Sequence, residues 1–140
     1  MRTEQIEIGG KTLEAARWGG GNRLPVLLLH EGLGSIRLWK DFPERLAEAA
    51  GREIIAWSRQ GHGWSDAYDG SRNLDYMHRE ALLLSAVHEA LGLTRAHWLG
   101  HSDGGSIALV GASRFPLLVS TLILEAPQGF LRGAQALHDR

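Results

Sequence analysis

The stretch Ala96-His97-Trp98-Leu99-Gly100-His101-Ser102-Asp103-Gly104-Gly105-Ser106-Ile107-Ala108-Leu109 decides the fold. Ala96 to Leu99 reads as a short strand, and Gly104 to Ser113 reads as a helix of small and aliphatic side chains. Between them stands Gly100-His101-Ser102-Asp103-Gly104, a G-x-S-x-G string. A serine at the crest of a strand-to-helix turn needs a sharply bent backbone, and only residues without bulk leave room for that bend. The string alone is cheap in a chain with 18 glycines. Its place between a strand and a helix makes Ser102 a candidate nucleophile.

Working outward, Pro25-Val26-Leu27-Leu28-Leu29 is a continuous apolar run of the kind found in a strand buried on both faces of a parallel sheet. Glu53 to Trp57 and Val119 to Leu124 read as further strands. Trp39, Phe42, Leu46 and Ala49/Ala50 recur at helical spacing, with Pro43 suited to a first turn and Gly51 to a stop. Tyr76, Leu83, Leu84, Val87 and Leu91 mark one face of a second helix that ends at Gly92. Upstream, Glu4 to Trp18 alternates like a hairpin turning at Gly9-Gly10. Strand and helix alternate from Pro25 onward, so the expected class is α/β: a mostly parallel sheet flanked by helices, in one domain spanning residues 1–140. There is no internal repeat or interdomain linker, and Gln128 to Arg140 is weakly patterned.

Composition narrows the function classes. A hydrophobic share of 44% supports one packed core. Fifteen Lys+Arg against 16 Asp+Glu leave a net charge of -1, without the basic surplus that a nucleic-acid partner requires. Absence of cysteine removes disulfides, thiolate metal sites and a cysteine nucleophile. Met1-Arg2-Thr3-Glu4-Gln5 is polar rather than signal-like, and the apolar runs are too short to span a bilayer. A soluble, cytoplasmic protein without membrane partner, cofactor or metal is expected. A nucleotide-binding domain is disfavoured because no phosphate-binding glycine motif follows any predicted strand.

Three motifs in order resemble the α/β-hydrolase superfamily, over nearly the whole chain. His30-Glu31-Gly32-Leu33-Gly34-Ser35 is similar to the family's H-G-x-x-G loop, with Glu31 where glycine is usual. Ser58-Arg59-Gln60-Gly61-His62-Gly63-Trp64-Ser65-Asp66 is similar to its D-x-R-G-x-G-x-S segment, and the third motif is the elbow around Ser102. The resemblance implies that the Gly32 and Asp103 amides form an oxyanion hole, that His30 orders its loop, and that the Ser58 to Asp66 segment, His62 and Asp66 included, is structural. It also implies a serine hydrolase of esterase or lactonase type acting through an acyl-enzyme on a small ester-like substrate. A C–C bond hydrolase or a cofactor-free haloperoxidase would share every residue quoted. A non-catalytic binding or assembly module on the same scaffold is the alternative.

Ser102 needs a base to take its proton and an acid to orient that base. The resemblance places both late in the chain, after strands that this sequence does not reach. Glu125, closing the last predicted strand, is the candidate acid, and His138 beside Asp139 is the candidate base. His101 adjoins the nucleophile, but its side chain is expected to project away from the reacting atom; His78, His88 and His97 are assigned to packing or solvent. A sheet ending before its last two strands leaves an aliphatic edge open. The expectation is therefore a fragment lacking its C-terminal half, or completion by self-association, with a homo-oligomer favoured.

Overall fold

The computed structural model describes residues 1–32, 34–68 and 75–125. Gly9 and Gly10 both take positive φ, as a two-residue hairpin turn demands, and they join β1 (Arg2–Ile8) to β2 (Lys11–Trp18) in antiparallel register with Ile8 opposite Lys11. β3 (Val26–Leu29) and β4 (Ile54–Trp57) are buried at every position and pair in parallel. β5 (Ala96–His101) lies parallel to β3 on its other side, and β6 (Val119–Glu125) lies parallel to β5. The order is β1-β2-β4-β3-β5-β6, with β2 antiparallel to β4. This is the α/β sheet expected from the sequence.

Alternation along the central strands feeds two cores. Leu27 and Leu29 pack with Leu84, Val87 and Ile107 on one face. Val26 and Leu28 pack with Ile36 and Ala47 on the other. A four-residue run with no polar position is thus two half-cores interleaved at the strand period.

Two helices depart from the sequence reading. The first begins as a 3-10 turn (Ile36–Trp39), and Lys40 at φ 56° breaks it from α1 (Phe42–Ala50). Trp39 is therefore out of register with α1, and the buried stripe runs through Pro43 and Ala47 while Phe42 is exposed. Pro43 in the first turn and Gly51 in the left-handed stop position are as expected. The second predicted helix is two: α2 (Tyr76–Leu82) and α3 (Leu84–Leu91). At Leu83 the amide bonds back three residues to the Glu80 carbonyl, tightening the turn and swinging Leu83 out of the core into solvent.

α4 (Asp103–Arg114) crosses the sheet closely because Gly111 has no side chain: a Cβ there would collide with Leu84 and lie 3.2 Å from the Trp98 ring. Beyond β6 no strand pairs among the described residues, and Ile123 is about half exposed. No helix among the described residues is long and apolar enough to cross a membrane. Among the same residues no His, Asp and Glu side chains group as metal ligands do.

Candidate active site

The C-terminal ends of β3, β5 and β6 meet at the turn between β5 and α4, and Ser102 occupies its crest at φ 55°, ψ -118°. A side chain in this region of backbone space is strained, so something must hold it there. The Ser102 amide donates to the Glu125 carbonyl at the end of β6 (2.8 Å), and the Ser102 carbonyl accepts the Gly105 and Ser106 amides that start the helix (2.8 and 3.2 Å). The two motif glycines supply the clearance. A Cβ on Gly100 would lie 2.5 Å from the Gly104 carbonyl oxygen, and one on Gly104 would strike the Leu29 carbonyl and lie 2.6 Å from that of His30. Gly100 lets the strand touch the helix, and Gly104 lets the helix touch the end of β3.

The loop after β3 is placed from the same side. Gly32 lies against the Asp103 side chain, whose carboxylate fills the volume that a Cβ at position 32 would need. This contact brings the two residues of the expected oxyanion hole together. Asp103 opens α4, where the first amides have no carbonyl partner within the helix and the helix dipole favours negative charge.

Behind the loop, buried His30 accepts the Arg59 amide on Nε2 (3.0 Å), which fixes the proton on Nδ1 for donation to the Glu31 carbonyl (2.6 Å). His62 is buried beside it, ring centroids 4.7 Å apart, with Nε2 2.7 Å from the Gly32 carbonyl. Both histidines bond to backbone through their rings.

The segment from Ser58 to Asp66 is fastened to β2. Asp66 exchanges bonds with Thr12: its amide donates to the Thr12 carbonyl (2.9 Å) and its carboxylate accepts the Thr12 amide (2.8 Å). Glu14 accepts a forked pair from Arg37 (2.8 and 2.9 Å), the Ser58 hydroxyl (2.6 Å) and the Trp64 amide (3.1 Å). Burial opposes the Glu14 charge, but the bonds from Arg37, Ser58 and the Trp64 amide, with the Arg37 charge, outweigh it and hold the carboxyl below its usual range. Arg37 also stacks on the exposed Trp64 ring, 3.5 Å from its centre.

His101 lies between two carboxylates: its Nε2 is 3.6 Å from Glu31 and its Nδ1 3.4 Å from Glu125. With Trp39, Leu38, Ser35 and His30 it lines a pocket of about 100 Å³. The remaining described histidines are remote. His97 sits at the opposite end of β5, His78 is exposed on α2, and His88 is buried in α3, accepting the Trp98 indole N–H (2.9 Å). Burial holds His88 below the ordinary imidazole range. Glu125 is thus at the site, whereas His138, the other half of the expected acid–base pair, lies outside the described residues.

A family model described as "alpha/beta hydrolase fold" matches residues 25–138. The chain belongs to the α/β-hydrolase family. It is 36% identical over 107 residues to a proline iminopeptidase of Lactobacillus delbrueckii subsp. lactis, covering 75% of this chain and 36% of that protein. It is 32% identical over 126 residues to the dihydrolipoyllysine-residue acetyltransferase component of the acetoin cleaving system of Pseudomonas putida, covering 90% of this chain and 33% of that protein. The crystal structure of a predicted CIB-like hydrolase from Thermoplasma acidophilum superposes with a TM-score of 0.81 at 22% identity, over 94% of this chain and 66% of that one, a likeness of fold. The chain spans about a third of the length of the curated relatives it matches.

Within this α/β-hydrolase, two residues of the site's framework were missed in the sequence reading. Glu14 shares the strand register of buried Ala16 and Trp18, and an acidic residue in a buried register was a signal that it needed partners. Arg59 is fully buried two residues after the apolar run of β4, and only its place beside the motif glycines hinted at that.

Proposed function

We propose that this chain carries the nucleophile of a serine hydrolase of esterase or lactonase type, acting on a small carbonyl ester. The observation that carries the reading is the positive-φ turn at Ser102, held with Asp103 directly against Gly32. The Ser102 oxygen attacks the substrate carbonyl carbon while its proton passes to a general base. The resulting oxyanion accepts the Gly32 and Asp103 amides, the alcohol leaves with the proton, and water then releases the acid. The names of the relatives support hydrolysis or acyl transfer more broadly than esters, since an amide substrate would use the same serine and the same amides.

Glu125 is the proposed acid, placed by β6 at the site's edge. His138, or a histidine contributed by chain outside this sequence or by a second copy, is the proposed base. The relatives' greater length favours the longer chain.

Fluorophosphonate labelling of Ser102, with p-nitrophenyl acetate and a prolyl anilide as substrates, tests the reading. Labelling and turnover that both vanish in Ser102→Ala are expected, and labelling that survives the substitution would move the nucleophile elsewhere. Preference for the anilide would replace the ester by an amide. A second reading, an assembly module that works with a partner copy, draws on the far edge of β6, which pairs with no strand among the described residues, and on exposed Leu117 and Ile123. A folded, unlabelled chain that sediments as a defined oligomer would favour it.

A further inference from the structure

The carbonyl of Glu31 accepts three bonds. It receives His30 Nδ1–H (2.6 Å), the Gly34 amide (3.0 Å) and one Nη2–H of Arg59 (3.2 Å). This carbonyl belongs to the same planar peptide as the Gly32 amide, and in a trans peptide the C=O and N–H bonds point in opposite directions. Whatever fixes the Glu31 oxygen therefore fixes the direction of the Gly32 N–H.

Arg59 acts on this peptide from both of its ends. Its backbone amide holds His30 in the tautomer that donates to Glu31, and its guanidinium donates to the same oxygen directly. The guanidinium is fully buried, reaches the Tyr76 hydroxyl at 3.4 Å, leaves Nη1 without a partner and pairs with no carboxylate among the described residues. Burying a cation without a counter-ion is unfavourable. Among the described residues nothing neutralises its charge where it meets the peptide. A cation bound at a carbonyl draws electron density through the amide and makes the N–H on the far side a stronger donor.

We propose that Arg59 is a positioning residue for the oxyanion hole, aligning and polarising the Glu31–Gly32 peptide so that its amide meets the developing oxyanion. This rests on the reading of Gly32 as an oxyanion donor. Because His30 and the Gly34 amide still satisfy the carbonyl when the side chain is removed, the substitution acts on the donor more than on the fold.

The test compares the full chain with Arg59→Met, which replaces the guanidinium by an apolar side chain. The rate of fluorophosphonate labelling at Ser102 and the kcat and KM for p-nitrophenyl acetate are measured beside thermal melting. Labelling and kcat are expected to fall about tenfold, part of the 10²–10³ that loss of a whole oxyanion donor costs, with KM and the melting temperature unchanged. A labelling rate within twofold of wild type overturns the proposal and leaves the nucleophile reading standing. Rate and melting temperature falling together would show a merely structural residue and also overturn it. Should the methionine variant fail to fold, Arg59→Gln, which keeps a donor and loses the charge, is expected to label about tenfold more slowly, and wild-type labelling in it overturns the proposal. A wild-type chain that does not label at Ser102 removes the underlying reading and this inference with it.

Discussion

Replacing Ser102 by glycine should stabilise the protein while abolishing the proposed chemistry. The backbone at Ser102, φ 55° and ψ -118°, is one that glycine enters freely and a residue with a Cβ enters at a cost of about 1–3 kcal/mol. Ser102→Ala keeps that cost and removes only the hydroxyl, so it is the proper reference. Glycine returns about 0.4–1 kcal/mol to the unfolded chain's entropy, leaving a net advantage over alanine of about 1 kcal/mol. For a 140-residue chain this raises the melting temperature by about 3 °C. Urea titrations should show the midpoint of Ser102→Gly above that of Ser102→Ala by about 0.5 M at an unchanged slope. The molecule holds its own calibration, because exposed Lys40 has nearly the same backbone, φ 56° and ψ -126°, away from the elbow. The Lys40→Gly and Lys40→Ala pair should differ by a similar amount. A Ser102→Gly variant no more stable than Ser102→Ala, beside a clear gain at Lys40, would refute stored strain at the elbow.

Gly104→Ala drives a methyl group onto the Leu29 and His30 carbonyls, neither of which can yield without moving β3, so a loss of about 3 kcal/mol in thermal melts and of Ser102 labelling is expected. Glu14→Gln removes the charge that pairs with half-exposed Arg37 but keeps an acceptor for Ser58 and the Trp64 amide; about 1 kcal/mol should be lost, and Glu14→Ala should lose about twice that by leaving those donors bare. Acid should destabilise the fold in two windows. His88 is held below 6.5 by burial, and His97 by burial and then by the Arg52, Arg95 and Arg23 charges, so the unfolded chain binds the extra protons and stability falls as pH drops below about 6.5. Glu14 is held below 4.5, so its contribution is complete above that value and is lost as pH falls through the folded pKa. Melting temperatures that stay flat between pH 7 and pH 5 would contradict the histidine assignment.

What was legible in the sequence was local. β3 announced itself because four consecutive aliphatic residues have no other economical burial than both faces of a parallel sheet. Ser102 announced itself because the glycines two residues to either side each clear a specific backbone contact, so the spacing carries the geometry. The misreadings have tertiary causes. Lys40 in a left-handed conformation reset the register of α1, and the tightened turn at Leu83 divided a helix whose apolar spacing looked continuous. The Glu14, Arg37 and Ser58 cluster joins β2 to residues 23 and 44 positions onward, and nothing in any one stretch announces the other two. The same holds for Arg59, whose burial follows from the loop that folds over it.

The elbow draws on the sheet's interior and on its edge. Strain at Ser102 persists only while three backbone anchors hold: β5 behind it, the amides of α4 ahead of it, and the Glu125 carbonyl beside it. The first two lie in the interior, with Gly100 and Gly104 packed against buried backbone. The third is the last residue of β6, the outermost strand, whose far edge has no strand partner among the described residues. An edge strand frays before a central one. When the end of β6 frays, the Ser102 amide loses its acceptor and the turn can relax toward ordinary backbone. The conformation of Ser102 is therefore tied to whatever covers β6, whether further chain or a second copy, and a chain with that edge uncovered should hold Ser102 in its positive-φ turn for less of the time than one in which it is covered.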